Sequence, residues 1–145
     1  MIIVEFVADL YPDSGLLPKD PVDRAKARFF VDAVNKEILP TWWRIFNKAE
    51  DSVDELLNGL EYVQGLFPAD TAYATGDSFT IADIAIVPFL GLMEIAFKND
   101  LGAFARGDGP KIYERIRSSK FDRLWGYMDR VKERKSFQDI FDWVS

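Results

Sequence analysis

Residues 76–90 read GDSFTIADIAIVPFL and contain the clearest local signal in the 145-residue chain. Thr80 is a good helix N-cap, and Asp83 three residues later completes a capping box with Asp in place of the commoner Glu. Phe79 before the cap and Ile84 after it match the positions of a hydrophobic staple. We therefore predict that a helix begins after Thr80, and that the Thr80 hydroxyl and the Asp83 carboxylate have a structural role.

The segment after the box is apolar on nearly all sides from Ile81 to Met93, which predicts a central, buried helix with a kink at Pro88. Amphipathic patterns on either side of it predict further helices, and no strand period is as clear. These helices are predicted over residues 2–10, from Asp20-Pro21 to Phe46 with a kink or brief break at Pro40, from Asp51 to Phe67, over 111–117, over 121–133 and in a final turn through Trp143. The predicted fold class is an all-α helical bundle.

Composition excludes several kinds of site. The chain has neither Cys nor His, so it has no thiolate nucleophile, no Cys/His zinc site and no Ser-His-Asp triad. Its net charge of −6 argues against nucleic acid as a partner. We expect no metal site and no membrane span, because acidic clusters suit a solvated helix face and the apolar runs are short. The predicted location is cytoplasmic.

The capping box, with Gly76 before it and Pro88 after it, resembles the start of the central helix in the C-terminal domain of glutathione transferases. Two flanking segments support the resemblance, which is nearest to the fungal and omega-like classes. The first, Tyr11-Pro12 to Arg24-Ala25, is similar to the interdomain linker and the first helix of that domain. The second, Phe121 to Trp125 followed by Arg134 to Phe137, is similar to the late helix and its end, where Lys135 replaces a proline of the family.

This resemblance implies a division of the chain into three parts. Residues 1–10 resemble the last helix of a thioredoxin-like domain, 11–19 the linker and 20–145 the helical C-terminal domain. In the family, the thioredoxin-like half holds glutathione through a cis-proline contact and a Glu-Ser pair, and its Tyr, Ser or Cys activates the sulfur. We therefore expect no catalytic residue, no glutathione conjugation by this chain alone, and no cofactor unless that half is supplied.

The resemblance also places a pocket for apolar molecules on the first long helix of the domain. The residues assigned to it on that helix are Trp42, Trp43, Ile45 and Phe46. Tyr113, from the helix predicted over 111–117, is a further candidate that could act as an acid or hydrogen-bond donor in the pocket. Aromatic residues at helical spacing are also typical of a core, so one Trp could instead be buried and the other could cover a subunit interface.

Residues 2–10 carry an apolar stripe at helical spacing, although Ile-Ile-Val also suits a strand. The stripe consists of Ile2, Ile3, Phe6, Val7 and Leu10. Burial of each side chain stabilises by roughly 1.5 to 3 kcal/mol, so we expect the stripe to be covered. The covering surface is the chain's own bundle, a second copy in a symmetric homodimer, or a partner protein.

Three functions are compatible with these patterns. The first is a domain that binds hydrophobic small molecules or acts as an association module, without conjugating glutathione. The second is a fragment or shortened form of an active transferase that supplies the pocket for the electrophile. The third is a scaffold domain in a multiprotein complex.

Overall fold

The structure is a computed structural model and describes residues 1–48 and 51–141. Helices and turns account for these residues, and no β-strand occurs among them, which confirms the all-α fold class. The α-helices are α1 (Ile2–Leu10), α2 (Pro21–Ala33), α3 (Leu39–Lys48), α4 (Val53–Gly65), α5 (Ile81–Lys98), α6 (Asp108–Ile116), α7 (Asp122–Lys132) and α8 (Lys135–Phe141). The final turn predicted through Trp143 extends outside the described residues. None of the helices described is long and apolar enough to cross a membrane.

The central helix is α5, against which α2, α6 and α7 pack. Its side chains Ile86, Leu90 and Met93 have no exposed surface, as the apolar sequence predicts. The helix continues through Pro88, whose side chain faces solvent. More buried residues belong to α5 than to any other described helix. Since a fully buried Leu or Ile stabilises by roughly 1.5 to 3 kcal/mol, α5 contributes strongly to the stability of the bundle.

The long predicted helix before residue 48 contains a change of hydrogen-bond register in place of a break at Pro40. A π-helical segment, Val34–Ile38, joins α2 directly to α3. The Leu39 amide donates to the carbonyl of Val34, five residues back, as a π-helix requires. Pro40 has no N–H to donate, and it follows immediately after this register change.

The π segment is also where α4 comes closest to the first long helix. Gly59 of α4 is buried there against the backbone of Glu37. A Cβ atom built on Gly59 would lie 3.0 Å from the Glu37 carbonyl carbon and closer still to its oxygen. Only glycine fits at this contact without a shift of one helix.

Residues 2–10 form a helix, as predicted, and an ion pair fixes it to α2. The Glu5 carboxylate accepts hydrogen bonds from the Arg28 guanidinium at 3.0 and 3.4 Å, and Ala8 is buried. The apolar stripe faces away from the bundle, with Ile2 88% and Phe6 60% exposed. Of the three expected covering surfaces, the chain's own bundle is therefore wrong, because α1 packs on it through Val4, Glu5 and Ala8 instead.

Candidate functional site

The capping box forms as predicted and is entirely inside the protein. Asp83 has no exposed surface, and its Oδ2 accepts a hydrogen bond from the Thr80 amide at 2.8 Å. Its Oδ1 accepts from the Ala74 amide at 2.9 Å and from the Tyr127 hydroxyl at 2.8 Å. Thr80 Oγ1 accepts in turn from the Ala82 amide at 3.2 Å. The box thus joins the start of α5 to the preceding loop and to α7.

The electrostatics of this cluster suit a structural role. Burial raises the pKa of Asp83, and the hydrogen bonds from Ala74, Thr80 and Tyr127 oppose that rise. Burial and the neighbouring carboxylate also raise the pKa of Tyr127 above its ordinary value. Because both groups are buried and bonded to each other, neither can exchange a proton with a substrate at the surface.

A cleft with a mostly apolar lining opens between the end of α3, the start of α4, the 99–107 loop and α6. We call it the α3–α6 cleft, and its volume is about 580 Å³. Its apolar lining is Ile45, Val53, Phe104, Ala105 and Ile112. Volumes of roughly 300 to 1,000 Å³ with such walls are typical of small-molecule sites.

Both cations at the mouth of this cleft already have carboxylate partners, and the remaining charged residue of the lining, Asp51, is itself an anion. Lys111 pairs with Asp108 at 2.8 Å, and Arg115 pairs with Asp54 of α4. The cations therefore offer little attraction to an anionic ligand. This arrangement favours a neutral, apolar occupant.

Hydrogen bonds fix the 99–107 loop to the neighbouring helices. The Ala103 amide donates to the Phe46 carbonyl at 2.8 Å. The Asp100 carboxylate accepts from the Gly107 amide at 2.7 Å and the Gly109 amide at 3.0 Å. These bonds hold the loop against α3 and α6 and position Phe104 at the cleft.

The five predicted pocket residues have different environments. Ile45 lines the α3–α6 cleft. Trp42 is buried and stacks on Phe46, with ring centroids 4.8 Å apart, so this pair forms part of the core next to the cleft. Trp43 is 55% exposed, and Tyr113 is half-buried against the core.

The rest of the apolar lining was not predicted from the sequence and consists of Val53, Phe104, Ala105 and Ile112. Phe104 is the one aromatic residue in the glycine- and alanine-rich segment 99–107. A single aromatic residue in such a segment could have indicated a lining residue, although a search for helical or strand periodicity does not detect it. No group of His, Cys, Asp and Glu side chains that could hold a metal ion occurs within residues 1–48 and 51–141.

Known proteins resemble this chain in both sequence and structure. The family model for the glutathione S-transferase C-terminal domain matches residues 25–130. A probable glutathione S-transferase from Nicotiana tabacum is 30% identical over 132 residues, which cover 89% of this chain and 54% of the relative. The chain spans about half the length of the curated relatives it matches.

Two solved structures from Trametes versicolor are also similar. Glutathione transferase Omega 1C shares 43% sequence identity with a TM-score of 0.87, and the match covers 95% of this chain and 57% of that one. Omega 2S, solved in complex with 2,4-dihydroxybenzophenone, shares 30% identity with a TM-score of 0.85. That match covers 97% of this chain and 59% of Omega 2S.

Proposed function

Because the chain belongs to the glutathione S-transferase family through its C-terminal domain, we propose that it binds neutral apolar small molecules in the α3–α6 cleft and does not conjugate glutathione by itself. The observation that carries this proposal is the apolar lining of Ile45, Phe104 and Ile112 beneath paired surface charges. An aromatic ligand would gain about 25 cal/mol for each Å² of apolar surface that it removes from water there.

The expected lack of glutathione conjugation follows from the part of the family's structure that binds and activates the glutathione thiol. In the resemblance drawn above, the groups that hold and ionise the tripeptide belong to a thioredoxin-like half built on a sheet. No β-strand occurs among the described residues of this chain. Turnover of glutathione and an aryl halide by this chain alone, above the uncatalysed rate, would contradict the proposal.

Replacement of Phe104 by Ala should weaken binding of 2,4-dihydroxybenzophenone by about tenfold. That loss corresponds to about 1.4 kcal/mol, a reasonable value for removing one ring from an apolar wall. The compound is a suitable aromatic probe because the related Omega 2S protein was solved with it. Binding is measured by quenching of tryptophan fluorescence, since Trp42 is buried on α3, the helix that supplies Ile45 to the cleft.

The matched control is Phe29→Ala on α2. Phe29 lines a different apolar groove, together with Ala25 and Leu66. We expect this variant to bind the probe like the unchanged chain. Weaker binding by the Phe29 variant and normal binding by the Phe104 variant would place the ligand in the α2 groove and reject the α3–α6 cleft.

We propose as a second candidate function that the chain is the electrophile-binding half of a complete transferase, with a thioredoxin-like half covering α1. The supporting observation is the exposed stripe on α1, which lies outside the family match at 25–130. The greater length of the relatives also supports it. Covering the stripe would stabilise by roughly 1.5 to 3 kcal/mol for each large side chain.

Fusing the thioredoxin-like half of Trametes versicolor Omega 1C in front of this chain should produce glutathione-dependent activity. Phe6→Asp should reduce that activity at least tenfold, because a buried charge would separate the two halves. Val22→Asp, at a residue equally exposed in this chain (61% against 60% for Phe6), should leave it nearly unchanged.

The same two variants separate this candidate from self-association. The unfused chain is compared with its Phe6→Asp and Val22→Asp forms by light scattering after size-exclusion chromatography. A stable dimer that only Phe6→Asp dissociates, together with an inactive fusion, would instead assign the stripe to a second copy of the chain.

A further inference from the structure

A second apolar groove lies between α5 and the turn from α7 to α8. It has a volume of about 330 Å³, near the lower end of the roughly 300 to 1,000 Å³ seen for small-molecule sites. Its walls include Ile84, Val87, Pro88, Val131 and Phe137. A single guanidinium, that of Arg134, supplies the positive charge in this lining. We call it the Arg134 groove.

Aromatic rings and a neutral hydroxyl hold Arg134 in place. Its guanidinium carbon lies 4.3 Å from the centre of the Phe79 ring and 5.3 Å from that of Tyr73. Nη1 donates to the Tyr73 hydroxyl at 2.6 Å. The cation is thus oriented without a carboxylate, since none of the carboxylates in the described part of the chain pairs with it.

The hydrogen-bonding capacity of Arg134 is also unfilled. Its Nε atom is buried and donates to no acceptor among residues 1–48 and 51–141. A guanidinium has five N–H donors, and burying one without an acceptor is costly. The groove therefore combines apolar walls with a positive charge that lacks a carboxylate partner in the described part of the chain, whereas the cations at the α3–α6 cleft already have such partners.

We propose that the Arg134 groove binds a small amphipathic carboxylate, with its anionic end on the guanidinium and its apolar body along Ile84, Val87 and Pro88. The volume suits one or two fused rings or a short acyl chain. A planar carboxylate matches the fork of the guanidinium, which can donate two parallel hydrogen bonds to it. This site is separate from the α3–α6 cleft and does not depend on the function proposed for that cleft.

The first test compares two ligands of the same shape on the unchanged chain by isothermal titration calorimetry. The ligands are 1-naphthoate, which is anionic at neutral pH, and 1-naphthamide, which is neutral. We expect naphthoate to bind about tenfold more tightly, because hydrogen bonds to charged groups are the stronger ones. Equal affinities for the two ligands would overturn the proposal.

The second test replaces the cation. Arg134→Gln should lower the affinity for naphthoate about tenfold and change the affinity for naphthamide less than about twofold. Arg130→Gln, which removes the same charge from an exposed position on α7, should alter neither affinity. Unchanged naphthoate binding in the Arg134 variant would also overturn the assignment.

A third variant tests the groove without disturbing the rings around Arg134. Ser136 is exposed and lines the groove, so Ser136→Trp should fill it and abolish binding of both naphthalene ligands. Phe104→Ala should leave naphthoate binding intact. Full naphthoate affinity in the Ser136 variant, or its loss in the Phe104 variant, would show that the anion binds elsewhere.

Discussion

Asp83→Ala is expected to destabilise the protein by about 4 kcal/mol, because it leaves three buried donors without their acceptor. These donors are the amides of Ala74 and Thr80 and the hydroxyl of Tyr127. A buried donor left unpaired costs about 1 to 3 kcal/mol, and a domain of this size has only about 5 to 15 kcal/mol of stability. Urea unfolding followed by circular dichroism measures the change.

Two further variants show whether the carboxylate itself is responsible. Asp83→Asn retains one acceptor oxygen and should cost about half as much, roughly 2 kcal/mol. Asp77→Ala removes an exposed carboxylate just before the box and should change stability by less than about 0.5 kcal/mol. A loss below about 1 kcal/mol in Asp83→Ala would mean that water or a shifted backbone replaces the lost acceptor.

The raised pKa of Asp83 makes its contribution to the free energy of unfolding depend on pH. Its unfolded value is near 3.8, and burial raises the pKa in the folded chain. The folded chain therefore binds the proton more tightly, so the Asp83 contribution is complete below the unfolded pKa and declines as pH rises through the folded one. The cost of Asp83→Asn should accordingly be larger at about pH 3.5 than at about pH 7.

The capping box could be predicted because its signal is local. Thr80 and Asp83 are three residues apart, and their spacing alone places the side chains at the start of a helix. Tyr127, by contrast, is 44 residues away from the carboxylate it contacts. Nothing in the sequence indicates this partner, because packing of α7 on α5 brings the two together.

The apolar pocket was harder to predict, since adjacent residues on a helix point in different directions. Trp42 and Trp43 are consecutive, yet the first is buried and the second is 55% exposed. Phe104 lies in a loop, where neither helical nor strand periodicity applies. Its position depends on the hydrogen bond from Ala103 to the Phe46 carbonyl, which is a tertiary contact.

The π segment before Pro40 was not predicted for a related reason. Val34 and Ile38 are four residues apart and both are fully buried, a spacing that an α-helix also satisfies. The proline correctly indicated that the helix could not continue unchanged. The register change coincides with the contact between Glu37 and Gly59 of α4, two residues that are distant in sequence.

Gly59→Ala should therefore destabilise the protein by about 2 to 3 kcal/mol, although alanine is the better helix former by about 1 kcal/mol. The new methyl group would overlap the Glu37 carbonyl, and a backbone group cannot rotate away as a side chain can. Gly65→Ala is the matched control at the C-terminal end of α4, where a Cβ atom meets nothing within 4 Å. That substitution should leave stability unchanged or raise it by up to about 1 kcal/mol. Urea unfolding of both variants measures the difference, and equal shifts would mean that helix propensity outweighs the contact between α4 and the π segment.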